Sequence, residues 1–380
     1  MKKIAILSHT FGNIGHTFMG IGVEEVVYNA FGNNVEITSF EQHRPFSVYP
    51  RVNPLYFLDK KPLKFFKIFR RFISTNIPYE SLWQFSKDLD YDLAICSGGP
   101  NLVPQGHNSY ELSLLLHHMN GAFFNKGIPI CDLAVGSCFP LSKNDFTFKD
   151  DDKVFYQKAI SYVKEITVRE EVAQKVLSQI DIKADILPCV ASASGRYFEK
   201  FIDHNPIENK NLILINYQLF GANTDWGQGI DTENWKKTIS EVIQALQLDG
   251  FEVAFICHSS EEKDLANKFE LNAKVFYPKT LIDYVKIIKN ARAALVSRIH
   301  AAVALAGIGV PSVVTGTDTR LLTINQFNLP TFKSIEVDSS KLIFALKEII
   351  NKGDTEYQRL INLRENTIET YSNKLKNNVL

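Results

Sequence analysis

The 380-residue sequence has no surplus of either charge, with Lys+Arg and Asp+Glu at 42 each. Without a net positive field, nucleic acid is not expected as a partner. Paired cysteines are also missing. The five, at 96, 131, 138, 189 and 257, are scattered and contain no Cys-x-x-Cys. This argues against a disulfide framework or a thiolate zinc site and fits a reducing, cytoplasmic compartment. No run approaches the ~20 apolar residues needed to cross a bilayer. The four apolar residues before Ser8 are too few for a signal peptide. No Asp/Glu/His cluster at ligand spacing calls for a metal, no cofactor is expected, and internal repeats and low-complexity tracts are absent.

What the chain does contain is an apolar fraction of 45% and an aromatic fraction of 12%, enough for a sizeable buried core. Its length exceeds one ordinary core and suggests two domains. Strand patterns at 3–9, 34–40, 91–99, 129–136 and 165–169 alternate with helical ones near 21–31, 81–89, 109–125 and 170–180. Several of the strands are continuously apolar, as expected where helices cover both faces. After a polar stretch, a second series begins. Strands are expected at 211–219, 251–258, 274–278, 293–297 and 312–316, and helices near 232–249, 261–269, 281–290 and 299–307. The pattern predicts an α/β protein of two Rossmann-like, doubly wound domains facing across a cleft. They are expected at 1–195 and 211–338, joined by a linker at 196–210 and followed by C-terminal helices at 339–380.

The segment "AALVSRIHAAVALAGIGVPSVVTG", residues 293–316, places Arg298 and His300 where strand becomes helix. If Ser297 caps that helix, both fall in its first turn, where free N–H groups and the helix dipole favour an anion. An arginine fork suits carboxylate or phosphate, and a histidine there can move a proton near neutral pH. The bland alternative is a surface arginine beside a hydrogen-bonded histidine. The residues alone leave the two readings even.

"SRIHAAVALAGIGVPSVV" resembles the Arg-Leu-His…Gly-Val-Pro signature of the polysaccharide pyruvyl transferase family. "FGNIG", "CSGGP", "VGSCFP", "ITVREEVAQKVL" and "FICHSSEEKDLA" agree with it in order, so the resemblance spans roughly 3–330. It implies a fold like that of the GT-B glycosyltransferases, phosphoenolpyruvate as donor, and a glycan acceptor that receives a pyruvyl ketal. Acceptors in surface-polysaccharide assembly are often lipid-linked, so the inner membrane face is a candidate location. The resemblance matches Arg169 to the family's Val-Arg pair, and this arginine sits at a strand end that leads into a helix. With Arg298, Ser297 and His258 it is expected on the donor side. His300 and Arg298 are the expected catalytic pair. Asn13, Gly15 and His16 after the first strand, with Gly98 and Gly99, are expected on the acceptor side. Where members often carry Asp after the first loop's glycine, this chain has His16.

Other features have modest readings. "GNIGHTFMGIG" (12–22) is not a dinucleotide fingerprint. His117 and His118 read as core or helix-surface residues, and Glu261 and Glu262 as first-turn residues favoured by the dipole. His258 is equally readable as a loop histidine capping the following helix. On a helix, Lys60, Lys64, Lys67 and Arg71 within 58–74 would share one face, with phenylalanines opposite. That pattern is open to a membrane-surface role or to packing on the protein's own sheet. Two further functions compete with pyruvyl transfer: a GT-B glycosyltransferase using a nucleotide sugar, and a non-catalytic sugar-binding or scaffold protein.

Overall fold

The computed structural model describes residues 1–8, 14–42, 44–53, 56, 80–104, 110–143, 145–201, 210–222, 226–269 and 271–378. The first sheet contains β1 (Lys2–Ser8), β2 (Val35–Glu41), β3 (Leu93–Cys96), β4 (Gly99–Leu102), β5 (Ile130–Ser137), β6 (Glu165–Val168) and β7 (Asp185–Ile186). Its order is β2-β1-β3-β5-β6-β7, with β4 paired to β5, and every described pairing is parallel. The second contains β8 (Leu212–Asn216), β9 (Glu252–Ile256), β10 (Lys274–Phe276), β11 (Ala291–Val296), β12 (Ser312–Gly316) and β13 (Thr331–Lys333). Its order is β10-β9-β8-β11-β12-β13, also parallel. Two doubly wound sheets with interleaved helices are the predicted class. Central strands follow the burial rule: Ile4, Ala5, Ile6 and Leu7 of β1 are fully buried, whereas edge strand β2 is mostly half-buried.

Local chemistry explains many helix starts. The Asp231 carboxylate accepts from Glu233 and Asn234 N–H, Ser259 Oγ from Glu262 N–H, and Thr280 Oγ1 from Asp283 N–H. Such caps each contribute about 1 kcal/mol. The Ile299–Gly307 helix has the predicted limits, but its cap is Arg298. Ser297 Oγ instead pairs with Thr315 Oγ1 at 3.0 Å, tying β11 to β12. Helix Ile14–Phe31 starts about two turns before its predicted boundary near residue 21. Gly15, Gly20 and Gly22 weaken its local helical signal, and tertiary packing overrides it.

The two sheets meet at the carboxyl ends of their strands. Phe18, Met19, Ala191 and Phe198 share one apolar cluster with Ala301–Ala306 of the second half. The loop after β5 joins the loop after β12: Pro140 bridges Asp318, Leu141 N–H donates to Thr317 O at 2.9 Å, and Thr319 N–H to Phe139 O at 2.8 Å. The C-terminal helices divide between the sheets. Leu342, Leu346 and Ile349 of Ser339–Asn351 pack on the second, while Ile368, Tyr371 and Leu375 of Gly353–Asn378 return to the first. Residues 194–199, at the start of the predicted linker, are helical, and 202–209 lie outside the described residues.

Candidate active site

The site is built around His300, in the first turn after β11. Helix Ile14–Phe31 comes so close that a Cβ on Gly15 would lie 2.3 Å from His300 Cβ. Any larger residue at 15 would therefore displace His300. The His16 ring approaches the His300 ring edge-on, with centroids 5.3 Å apart and planes at 72°. Two residues expected on the acceptor side thus touch the expected catalytic histidine directly. His300 is half-buried. Burial, then the charges of His16, Arg169, Arg320 and Arg298, hold its pKa well below the usual value. It is therefore a neutral imidazole at neutral pH, ready to accept a proton rather than give one.

Arg298 owes its position to a residue whose sequence signal points elsewhere. Glu262 is only 4% exposed, and its carboxylate pairs with Arg298 Nε. It also accepts from Asn216 Nδ2 at 3.1 Å, Gln218 Nε2 at 3.3 Å and the His258 backbone N–H at 2.8 Å. The expected first-turn glutamate is present, but its work is to anchor an arginine from another strand's end. His258 Nε2 meets Tyr284 Oη at 2.9 Å, and its Nδ1 has no hydrogen-bond partner among the described residues. Burial and then the Arg298 charge push the His258 pKa down to about 3. The structure thus brings Arg298 and His258 together, with His258 held by Tyr284 and by Glu262 rather than serving as a cap.

Arg169 leaves the end of β6 and is 1% exposed. Among the described residues its Nε has no hydrogen-bond partner, and Nη1 reaches Cys189 Sγ at 3.9 Å. A Cβ on Gly136 would lie 2.4 Å from Arg169 Nε, so the guanidinium lies along the β5 backbone. The adjacent Glu170 is committed elsewhere, accepting from Ala173 N–H and from Ser137 N–H at 2.7 Å. A buried cation with no carboxylate at ion-pair distance among the described residues is costly unless an anion joins it.

Arg320 is the site residue that the sequence reading missed. It lies in the 3-10 segment Thr319–Phe327, and its charge reaches His300. Asp318 receives Arg320 Nε at 2.8 Å and Nη2 at 2.5 Å. Burial opposes ionisation of Asp318, but the Arg320 charge and hydrogen bonds, with Trp226 Nε1, hold its carboxyl below the usual range. Thr319 Oγ1 also meets Ser137 Oγ at 2.7 Å, clamping the second sheet's loop to the end of β5. An acidic residue two positions before an arginine, just after a strand, was the available signal.

The remaining expected residues fall as follows. Gly98 has φ +76°, and a Cβ there would lie 2.2 Å from Leu133 O, so the close approach of β3's end to β5 requires glycine. Beside it, Ala134 holds a left-handed φ of +55° where the β5–β6 register shifts. Such bulges re-aim strand ends near sites. The contacts of Gly98 and Gly99 are with Leu133, Ala134 and Asn101, which gives them a structural role at the crevice floor. Asn13 and segment 58–74 lie outside the described residues. His118 is a core residue between Trp83 Nε1 and Tyr49 Oη, and His117 stacks on Tyr162. Among the described residues no His/Cys/Asp/Glu group could hold a metal ion, and no helix is long and apolar enough to cross a membrane.

A family model described as polysaccharide pyruvyl transferase matches residues 13–319. No curated protein matches the sequence. Among solved structures, a putative UDP-N-acetylglucosamine 2-epimerase from Listeria monocytogenes is similar, with TM-score 0.56 and 12% identity over 98% of this chain and 94% of that one. The S. aureus MnaA–UDP co-structure aligns with TM-score 0.56 and 14% identity over 99% and 95%. UDP-GlcNAc 2-epimerase from Neisseria meningitidis, bound to UDP-GlcNAc, gives 0.53 and 14% over 97% and 99%. At these identities the likeness shows the fold alone, a two-sheet architecture of the GT-B kind.

Proposed function

Because the chain belongs to the polysaccharide pyruvyl transferase family, we propose that it moves the pyruvyl unit of phosphoenolpyruvate onto two hydroxyls of a glycan acceptor, forming a ketal. The observation that carries this reading is that the charges of Arg169, Arg320 and Arg298 all act on His300, with Arg298 anchored by Glu262 and Arg320 by Asp318. A small donor bearing a carboxylate and a phosphate needs several fixed cations, and these come from both sheets. The helix N-terminus at Arg298 adds free N–H groups.

The atoms balance with these groups. Each of two acceptor hydroxyl oxygens bonds to C2 of the donor, the C2–O bond to phosphate breaks, and C3 gains a proton to become methyl. Of the two hydroxyl protons, one is accounted for at C3 and the other leaves with phosphate. His300, neutral before the donor arrives, takes a hydroxyl proton as the oxygen attacks. Nearby donor charge then stabilises the imidazolium, which can return the proton. The N-terminal sheet, which supplies Gly15 and His16, is the proposed acceptor side, and the second sheet the donor side. Lipid linkage of the acceptor belongs to the same proposal.

A nucleotide-sugar donor is less well served. The carboxylate beside the helix start, Glu262, is already occupied by Arg298, Asn216, Gln218 and the His258 N–H. Calorimetric titration separates the two. Arg169→Ala and Arg298→Ala are each expected to weaken phosphoenolpyruvate binding by about 1.5–3 kcal/mol, the range of a charge-assisted hydrogen bond. Arg169→Ala is the cleaner test, since Arg298→Ala also strips Glu262 of its cation. Unchanged donor affinity in both variants would remove the arginines from the site, and tight binding of a nucleotide sugar alone would favour glycosyl transfer.

A further inference from the structure

Away from the arginine cluster, a cavity of about 400 Å³ opens along edge strand β2, between Thr38–Glu41 and the loop containing Arg44, Ser47 and Arg51. Lys87 completes its wall. Three cations, Arg44, Arg51 and Lys87, line it together with one carboxylate, Glu41. Neither Arg51 nor Lys87 has a carboxylate at ion-pair distance among the described residues. The Lys87 ammonium is held over the Phe40 ring, 5.0 Å from its centroid, and its backbone N–H donates to Val48 O at 2.9 Å. Burial, then the charge of Arg51, lowers its pKa, which shows that the two cations feel each other. A third group points the same way: Ser47 Oγ is buried with no hydrogen-bond partner among the described residues.

Two adjacent cations and an unused hydroxyl suit one oxyanion group. Part of its lining, Thr38–Glu41, is the carboxyl-terminal half of β2. Gln42, next to its lining, donates to Leu7 O and Cys96 Sγ at the carboxyl ends of β1 and β3. Strand β1 is the next strand inward, about 4.8 Å away, and it leads to Gly15 and His16. We infer that this cavity is an oxyanion subsite, in which Arg51, Lys87 and Ser47 hold a phosphate or carboxylate carried by the acceptor glycan. This rests on the glycan-acceptor reading above, and it limits acceptors to anionic ones.

Calorimetry with glucose 1-phosphate, glucuronate and glucose tests it without phosphoenolpyruvate, so the result stands apart from donor identity. Glucose 1-phosphate should bind the wild type more tightly than glucose does, and weaken by about tenfold or more in Arg51→Gln/Lys87→Gln. Glucuronate binding with the same variant dependence assigns the anion as a carboxylate and keeps the site. Equal affinity for glucose, or equal affinity in the double variant, overturns it. So does binding of the double-cation site to phosphatidylglycerol vesicles alone, which would assign a lipid headgroup instead. A matching melting temperature checks the fold of the double variant, and Lys87→Gln alone serves if that check fails.

Discussion

His300→Ala should lose about 10²–10⁴-fold in single-turnover rate, the usual range for removing a general acid–base group. Donor affinity should change little, because the arginines and helix N–H groups remain. In the wild type, burial and neighbouring positive groups hold the His300 pKa well below its usual value. The imidazole is therefore the neutral base through neutral pH, and turnover should fall only on acidification, as His300 takes up a proton. That acidic limb should be absent from the residual rate of His300→Asn. A structural His300 would instead lower the melting temperature while activity per folded molecule persisted. If it is one more anion ligand, donor affinity and turnover would fall together. Normal turnover in a stable variant ends the catalytic role.

Glu262→Ala should cost about 3–5 kcal/mol in denaturant unfolding, because it leaves the Arg298 charge unpaired in a largely enclosed site. The side chains of Arg298 and Glu262 are 15% and 4% exposed, so solvent compensates only partly. Asn216, Gln218 and the His258 N–H lose their common acceptor in the same step. Donor KM should rise more than kcat falls, since Arg298 is displaced but His300 stays. A loss below about 1 kcal/mol, as for an exposed pair, would mean that Glu262 does not hold Arg298 in place.

Local signals carried the sequence reading of β1, β5, β11 and helix Ile299–Gly307, whose strands are continuously apolar and whose helix is rich in alanine. Arg298 and His300 were legible because a strand end and a helix start in an α/β sheet mark the crevice. Long-range placement was not legible. Glu262 had the look of a dipole-favoured first-turn residue until the fold brought it to Arg298, 36 positions along the chain. Arg320 depends on the bridge between Pro140 and Asp318, which no local pattern announces. Helix Asp150–Ile160 begins with three aspartates and has little apolar periodicity, so it was not expected. Strands β4, β7 and β13, of four, two and three residues, are too short to show a period. The helical character of 353–378 was readable, but its return to the first sheet rests on contacts such as Tyr371 Oη to Pro188 O.

The central claim is the transfer itself, and product analysis tests it most directly. The protein is incubated with carbon-labelled phosphoenolpyruvate, a nucleotide sugar and anionic glycan acceptors, lipid-linked and free, and products are read by mass. The account predicts that the acceptor gains the labelled three-carbon unit as a ketal, with one phosphate released for each. Transfer of a sugar from the nucleotide donor, with phosphoenolpyruvate left intact, would contradict it.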